Sequence, residues 1–413
     1  MPRPERGACH DPAPRLALEI AEIFRAHGDR YRHAHALTRE QRAVMRAIEI
    51  CRTEALGGHL DVCTHCRYER PAYNSCRTRH CPKCQSLAQA RWIEQRLTRT
   101  LETPYFHVVF TLPSELRALA LVNRRTVFAM LFAAASQTLL ALGRDPARLG
   151  ATLGITAVLH TWTRALQFHP HLHCIVTGGG LARDGARWVP ARGTYLFPGK
   201  VLSRLFRGTL LAALTRAYAR GELRLSGPCA ELADPVRFAR LRDQLYRQEW
   251  VVYVKRPFAG VAHVFRYLGR YTHRVALSNH RLQAIDDHAV RFATKHGQCV
   301  TLSPQEFIRR FLLHVLPAYF VKIRHYGLLA PQNAKSRLER ARQLLAVPAT
   351  EKLPATIAPP ALPPDRDWRV RLRALTGVGL SRCPHCPTGT LIRRPLFRRA
   401  SPCAERAPPR QAA

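Results

Sequence analysis

Residues 169–174 read His-Pro-His-Leu-His-Cys and constrain the fold more than any other part of the chain. Three histidines, His169, His171 and His173, occupy alternate positions ahead of an apolar run that ends in three glycines. Successive side chains of a β-strand point to opposite faces, so the three imidazoles are expected on one face, with Leu172 packed into the core. His171 and His173 therefore predict a divalent-metal site on a strand, the alternative being ordinary surface or core histidines.

Two residues are candidates for the third protein ligand of this predicted site. His169 lies at the start of the strand, although Pro170 beside it lacks the amide donor that a central strand position uses. His160, on a neighbouring predicted strand, is the other candidate. The predicted site therefore contains His171, His173 and His169, with His160 as the alternative to His169.

A tyrosine pair follows about ninety residues later. Tyr267 and Tyr271 are four residues apart on a predicted helix over 260–274, and that spacing places them on one helix face. An aromatic pair at this spacing is more often core packing. Three arginines nearby, however, suit phosphate contacts: Arg266, Arg270 and Arg274.

A metal ion and a tyrosine pair together suggest a particular chemistry. The phenol is a poor nucleophile at neutral pH until a metal, a base or nearby cations assist it. A histidine-held Mg²⁺ or Mn²⁺ would polarise a scissile phosphate and orient it for in-line attack. The sequence thus predicts an enzyme that cuts and rejoins DNA strands through a phosphotyrosine.

The net charge supports a nucleic-acid partner. The chain has 65 Lys+Arg against 28 Asp+Glu, a formal charge of +37. A GC-rich coding sequence, which favours arginine codons, explains part of this excess of basic residues but not so large a deficit of acidic residues. A polyanion is therefore the expected partner. Residues 1–14 contain no apolar segment. The uncharged run 126–142 is shorter than the roughly 20 residues of a membrane helix, so it is expected to be a buried helix. We expect a cytoplasmic protein without a membrane segment.

Thirteen cysteines in such a protein are better explained as metal ligands and core residues than as disulfides. Two Cys-x2-Cys pairs, separated by fourteen residues, match a four-cysteine zinc template: Cys63, Cys66, Cys81 and Cys84. Four nearby residues are candidates for a second zinc: Cys51, His59, Cys76 and His80. The alternative places Cys51 in a helix core and His59 in solvent. A further pair, Cys383 and Cys386, is expected to belong to an unstructured tail, the alternative being a third zinc site completed by His385 and Cys403.

Hydrophobic periodicity indicates an α+β chain in four parts. Residues 1–14 are expected to be disordered, 15–92 to form a helical zinc-binding head, 93–346 a mixed catalytic domain, and 347–413 a Pro-rich linker and basic tail. The elements expected in the catalytic domain are strands over 106–112, 155–162, 171–177 and 250–254, a hairpin over 289–302, and helices over 116–142, 198–219 and 304–316. The strands over 155–162 and 171–177 are expected to pair, joined near residues 164–168.

Five segments together resemble a known family. They are CRTEALGGH at 51–59, YNSCRTRHCPKCQ at 73–85, HPHLHCIVTGGG at 169–180, YLGRYTHRVALSN at 267–279 and FIRRFLLHVLPAYFVKIRHYGLL at 307–329. The chain resembles the rolling-circle transposases of the insertion-sequence ninety-one family, which are two-tyrosine HUH enzymes.

The resemblance implies a fold and a role for each motif. His171 and His173 would be the metal pair, Tyr267 and Tyr271 the nucleophiles, and the head a zinc-dependent DNA-binding domain. The implied fold is a central antiparallel sheet with flanking helices and the HUH strand in its middle. The implied substrate is single-stranded DNA at transposon ends and target. Alternative functions are a replication initiator or relaxase, and a zinc-dependent DNA-binding protein or inactive relic that does not cut.

Overall fold

The computed structural model describes residues 18–97, 99–193, 195–255, 277–295, 297–333, 335–346 and 381–396. The helices within these ranges are α1 (Ile20–Ala34), α2 (Arg39–Glu49), α3 (Ser86–Leu97), α4 (Arg117–Val122), α5 (Arg124–Arg144), α6 (Gly199–Ala219), α7 (Pro235–Arg247), α8 (Pro304–Leu312) and α9 (Arg337–Leu345). The strands are β1 (Gly58–Cys63), β2 (Glu69–Tyr73), β3 (Tyr105–Thr111), β4 (Ala151–Trp162), β5 (Phe168–Ala182), β6 (Trp188–Pro190), β7 (Val252–Lys255), β8 (Leu282–Ile285), β9 (Val290–Ala293), β10 (Cys299–Leu302), β11 (Ile323–Gly327) and β12 (Leu391–Leu396). The α+β class expected from the sequence is confirmed.

A central antiparallel sheet has the strand order β11-β4-β5-β3-β7, with β6 added to β5. The predicted pairing of the strands near 155–162 and 171–177 is confirmed as β4 against β5, with His160 opposite His171. The two strands are joined by a tight turn in which Thr163 N–H donates to the Gln167 carbonyl at 3.0 Å. The histidine-bearing strand therefore lies in the middle of the sheet, where both neighbours fix its register.

One face of this sheet packs against α5 and α6. Alternate residues of the strands turn inward, including Leu172 and Cys174 of β5 and Leu159 of β4. Helix α5 is long and apolar enough to cross a membrane by length and composition. In this structure most of its side chains are buried, among them Phe128, Leu131 and Phe132. This confirms the buried helix expected there from the sequence.

The opposite face of the sheet carries the histidines. His171 and His173 alternate with Leu172, so they point away from the α5 side. Further along the same face, Val158 and Ile175 are buried under Trp92 and Ile93 of α3. Helix α3 thus covers one part of this face, and the histidines occupy another.

The N-terminal helices share a core with a distant part of the chain. Helices α1 and α2 pack with the β8–β10 sheet and α8. The Phe24 and Phe311 rings meet edge to face with centroids 5.3 Å apart. A capping box of Thr38 and Gln41 begins α2, and Gln41 Nε2 also donates to the Leu312 carbonyl at 3.3 Å. The segment after residue 277 therefore packs with the head.

Part of the tail is ordered, which corrects the expectation of an unstructured tail. Strand β12 pairs with β1 over six residues and completes a three-stranded sheet of order β12-β1-β2. The Cys383–Cys386 pair just before β12 is therefore not isolated. The predicted disordered residues 1–14, the tail residues 397–413 and the linker residues 347–380 lie outside the described residues, as does the predicted helix over 260–274.

Candidate functional site

A cluster of three histidines lies on the face of the central sheet opposite α5 and α6. His160, His171 and His173 each offer a ring nitrogen, and these nitrogens lie within 4.8 Å of one another. His171 and His173 come from β5, while His160 comes from β4 directly opposite His171. Strand alternation and antiparallel pairing therefore bring three imidazoles together, which we call the histidine cluster.

Hydrogen bonds orient the rings of the histidine cluster. His171 Nδ1 donates to the His169 carbonyl at 2.7 Å, which leaves the Nε2 lone pair for a ligand. His173 Nδ1 lies 2.7 Å from His107 Nε2 on β3. With His173 as the donor, its Nε2 also keeps a lone pair. The His160 ring stacks on Trp162 with centroids 4.8 Å apart. A metal ligand needs this kind of fixed tautomer and orientation.

The His169 ring, which the sequence predicted as a third ligand, is not part of the histidine cluster. Its Nδ1 lies 3.3 Å from the Arg117 guanidinium. Because an arginine side chain only donates, His169 Nδ1 accepts and the proton of the neutral ring sits on Nε2. The third imidazole beside His171 and His173 is that of His160, the alternative candidate in the sequence.

Burial keeps these histidines neutral. Desolvation lowers the pKa of His171 to about 4, and the nearby imidazole of His169 adds to this, while donation to the His169 carbonyl opposes it. Burial also holds the pKa values of His160 and His173 well below the ordinary value. Neutral imidazoles are the form that binds a metal, so the cluster is ready to coordinate at neutral pH without first losing protons.

His107 is a functional candidate that the sequence reasoning missed. It lies on β3 and is buried, and its ring stacks on that of His173 with centroids 5.0 Å apart. The sequence signal was a lone histidine inside the strand FHVVFTL, which gives no indication of its partner. Only the pairing of β3 with β5 places it behind His173.

The predicted nucleophiles Tyr267 and Tyr271, and the arginines Arg266, Arg270 and Arg274, lie outside the described residues. The chain enters that segment from β7, at the end of the central sheet. Lys255, the last residue of β7, pairs with His107 in the ladder. Tyr267 follows Lys255 by twelve positions (267 − 255), which can span at most about 40 Å. Connectivity therefore allows Tyr267 to reach the histidine cluster.

Eight cysteines form two clusters of four, and their grouping differs from the predicted one. Cys63 and Cys66 lie with Cys383 and Cys386, and we call these four the ribbon cysteine cluster. The other group, the head cysteine cluster, is Cys51, Cys76, Cys81 and Cys84. The two pairs Cys63/Cys66 and Cys81/Cys84 therefore do not share one site. Spacing identifies each pair, but the folding of the chain decides which other cysteines it meets.

The head cysteine cluster is buried beneath α2. Cys51 follows that helix with no exposed surface, and Cys81 is 2% exposed. Cys76 Sγ lies 3.7 Å from Cys84 Sγ, and Gln85 Nε2 donates to Cys84 Sγ at 3.7 Å. The neighbouring thiols of Cys51, Cys76 and Cys81 lower the pKa of Cys84, which favours the thiolate that binds zinc.

Two predicted zinc candidates lie outside both cysteine clusters. His59 Nε2 is 3.4 Å from an Asp61 carboxylate oxygen, so its partner is a carboxylate. His80 is buried, and neither of its ring nitrogens has a hydrogen-bond partner among the described residues. Burial, with Lys322 and Arg79 nearby, lowers its pKa to about 3. The cluster expected from Cys51, His59, Cys76 and His80 is therefore replaced by one of four cysteines.

Lys322 is a second buried polar residue near these sites. It is 8% exposed, and its Nζ has no hydrogen-bond partner among the residues that the structure describes. Its carbonyl accepts from Leu159 N–H at 2.9 Å, beside His160. Burial lowers the pKa of this amine to about 7, and Arg79 contributes in the same direction. A buried amine without a partner costs folding free energy.

Replacing Lys322 by methionine is therefore expected to raise the free energy of unfolding by about 1–3 kcal/mol at pH 7. Between pH 7 and about 10 the unfolded wild-type chain holds the Lys322 proton and the folded chain does not, so this residue makes stability rise with pH. Urea unfolding of wild type and Lys322→Met at pH 7 and 9 measures this effect. The part of the rise in stability between these two pH values that Lys322 causes should be missing from the variant. Lys295→Met, at an exposed lysine, is the control. A Lys322→Met variant less stable than wild type would contradict the prediction.

Comparisons with known proteins give matches along most of the chain. A family model described as a putative transposase matches residues 154–337, and one described as a transposase zinc-binding domain matches residues 23–112. A protein named putative transposase y4qJ from Sinorhizobium fredii is 47% identical over 392 residues, covering 93% of this chain and 96% of that protein. The transposase for insertion sequence element IS801 of Pseudomonas savastanoi pv. phaseolicola is 30% identical over 307 residues, covering 71% of this chain and 72% of that protein. No solved structure matches. A chain with a histidine-bearing antiparallel sheet, a zinc-binding head and these relatives belongs to the IS91 family of transposases.

Proposed function

We propose that this transposase nicks and rejoins single-stranded DNA at transposon ends through 5′-phosphotyrosine intermediates. The observation that carries the proposal is the histidine cluster, in which three neutral imidazoles converge on one face of the central sheet. The tyrosine-bearing segment leaves that sheet at Lys255, paired with His107 behind the cluster. Metal ligands and nucleophiles are thereby connected by a short stretch of chain.

Each group of residues has a separate role in the proposed reaction. His160, His171 and His173 would hold a divalent ion, and His107 and the His169 carbonyl orient two of these rings. When bound, the ion supplies Lewis-acid polarisation of the scissile phosphate. Tyr267 and Tyr271 are the proposed nucleophiles. The arginines proposed to hold the flanking phosphates are Arg266, Arg270 and Arg274.

The chemical step conserves the energy of the phosphodiester. The tyrosine oxygen bonds to phosphorus as the bond from phosphorus to the 3′ oxygen breaks. The phenol loses its proton and the departing 3′ oxygen gains one, giving a 5′ phosphotyrosine and a free 3′ hydroxyl. Attack of a 3′ hydroxyl on this adduct reverses the step, so joining needs no nucleotide cofactor. Two tyrosines allow one to cleave the donor end and the other the target.

The donor set bears on the choice between Mg²⁺ and Mn²⁺. The histidine cluster offers three nitrogen ligands and, among the described residues, no carboxylate joins it. Mg²⁺ prefers oxygen ligands, whereas affinity for imidazole increases toward the transition metals. We therefore propose Mn²⁺ as the better of the two ions, and expect Mn²⁺ to support cleavage at lower concentration than Mg²⁺.

DNA is the partner of this transposase, and its net charge of +37 suits the polyanion. We propose that residues 15–92 form a zinc-dependent DNA-binding head and that 93–346 cut the strand. The protein would act in the cytoplasm, at the nucleoid when bound to DNA. The zinc-binding domain favours this reading over a replication initiator or relaxase with the same chemistry.

A covalent-adduct assay tests the proposed function. Wild-type protein incubated with single-stranded oligonucleotides from both flanks of its gene and Mn²⁺ should give a protein–DNA band on a denaturing gel. Tyr267→Phe and Tyr271→Phe should each reduce the band, and the double variant should lose it. Tyr246→Phe on α7 is the matched control and should leave the band unchanged.

Binding without any adduct would contradict the proposal and favour a DNA-binding protein that does not cut. That conclusion requires both strands of both flanks to be tested, since a strand-specific nuclease does not cleave the wrong strand. A band that persists in the double tyrosine variant would instead identify a different nucleophile.

A further inference from the structure

We propose that Cys63, Cys66, Cys383 and Cys386 bind a zinc ion that joins the head and the tail into one split zinc ribbon. The four residues belong to two Cys-x2-Cys turns, one in the β1–β2 hairpin and the other directly before β12. In sequence the two turns are 317 positions apart, measured from Cys66 to Cys383. The site therefore belongs to neither the head nor the tail alone.

The sulfur positions fit a tetrahedral zinc ion. Cys66 Sγ lies 3.5 Å from Cys383 Sγ, and Cys63 Sγ lies 3.6 Å from Cys386 Sγ. A Zn–S bond of about 2.3 Å sets the edge of a ZnS₄ tetrahedron at about 3.8 Å. A disulfide would need about 2.05 Å between sulfurs. The spacing is thus that of four separate ligands around one ion.

The backbone of both turns supports thiolates. The N–H groups of His65 and Cys66 point to Cys63 Sγ at 3.4 Å each, and His385 N–H points to Cys383 Sγ at 3.3 Å. Hydrogen bonds from backbone amides stabilise sulfur in its anionic form. The Tyr68 and His385 rings, one from each side, stack with centroids 4.8 Å apart.

Gly389 shows how closely the tail approaches the sulfurs. A Cβ at this position would overlap Cys63 Sγ and lie 2.7 Å from Cys386 Sγ. Hydrogen bonds also cross between the two segments, since Thr64 N–H donates to the Thr390 carbonyl at 2.9 Å and Thr390 N–H donates to Thr64 Oγ1 at 3.2 Å. The cluster is therefore built from both segments at van der Waals contact.

The described part of the tail, residues 381–396, has almost no apolar core that could hold it in place. Within the described residues 381–396, only Cys383 and Gly389 are buried. The tail also contacts the head through the β12–β1 ladder and an ion pair of Arg393 with Asp61 at 3.6 Å, with Arg70 on the other side of that carboxylate. Such a small exposed sheet depends on a metal for most of its stability. The match to a transposase zinc-binding domain ends at residue 112, so it does not include Cys383 or Cys386.

Metal content of the full-length protein provides the first test. Cys383→Ser/Cys386→Ser should contain one zinc ion fewer per chain than wild type, while Cys299→Ser, outside both cysteine clusters, should contain the wild-type amount. Gly389→Ala keeps all four thiols but crowds them, so it should lose zinc to a chelator at least about tenfold faster than Gly208→Ala, whose Cβ meets nothing within 4 Å. Unchanged zinc content in the double cysteine variant would overturn the proposal.

Retention of the tail provides the second test. A protease site is introduced into the Pro-rich sequence at 354–364 of the full chain, and the protein is cleaved under reducing conditions. The tail fragment should co-elute with the rest of the protein in size-exclusion chromatography and should separate when a chelator removes zinc. A tail that stays bound after complete zinc removal, or that dissociates while all zinc is still present, would contradict the proposal.

Discussion

Replacing His171 by alanine is expected to reduce metal-dependent adduct formation on single-stranded DNA by about 100-fold or more. Outer-shell partners of metal ligands already contribute about 10- to 100-fold, and a direct ligand should contribute at least as much. His171 presents Nε2 to the histidine cluster because its Nδ1 donates to the His169 carbonyl. The amount of adduct as a function of Mn²⁺ concentration is the measurement, and the variant should need much more metal.

His169→Ala is the matched control for this prediction. His169 comes from the same strand and the same face, but its ring accepts from Arg117 and is not in the cluster. Its carbonyl, which orients His171, remains in the alanine variant. Adduct formation should therefore stay within a few-fold of wild type. If His169→Ala were as damaging as His171→Ala, or if His171→Ala kept wild-type metal dependence, the assignment of the ligands would be wrong.

Replacing Cys81 by serine is expected to unfold the head. Structural zinc contributes apparent binding free energies of about 10–16 kcal/mol in small zinc domains, which is comparable to the whole stability of many folded domains. Cys81 is buried in the core that α1 and α2 share with α8 and the β8–β10 sheet. The loss should therefore spread to α8, beyond the head itself.

Zinc content and limited proteolysis together test this prediction. Cys81→Ser should lose zinc and become protease-sensitive within 18–97 and at α8, while the α5 and α6 side of the central sheet stays protected. The control is Cys229→Ser, at a buried cysteine in the separate core beside α6 and α7. This variant should keep the zinc content of the wild-type protein. A Cys81→Ser variant with full zinc content and wild-type protection would refute a structural role for the head cysteine cluster.

Local pattern was sufficient to predict several features of this protein. The alternation of His171, Leu172 and His173 predicted a strand with its imidazoles on one face, because the two-residue period of a β-strand is a property of the backbone itself. The pairing of β4 with β5, the buried helix α5 and the strand β3 followed from hydrophobic patterns in the same way.

Partners that are distant in the chain could not be predicted in this way. A Cys-x2-Cys turn specifies two ligands of a zinc site, and the other two can come from any segment that the fold brings near. The spacing of Cys63/Cys66 and Cys81/Cys84 therefore suggested one shared site, where the structure has two clusters. The predicted unstructured tail followed from its Pro-rich linker, but β12 gains order only by pairing with β1.

The choice between His160 and His169 illustrates the same division. The sequence determined that imidazoles from this strand would share a face, and its motifs and charge indicated a DNA-processing enzyme of this family. The tertiary structure decided which ring joins them, because β4 places His160 opposite His171 while Arg117 donates to His169. Local periodicity is fixed by backbone geometry over a few residues, whereas ligand clusters depend on contacts between segments far apart in sequence, which only the packed fold establishes.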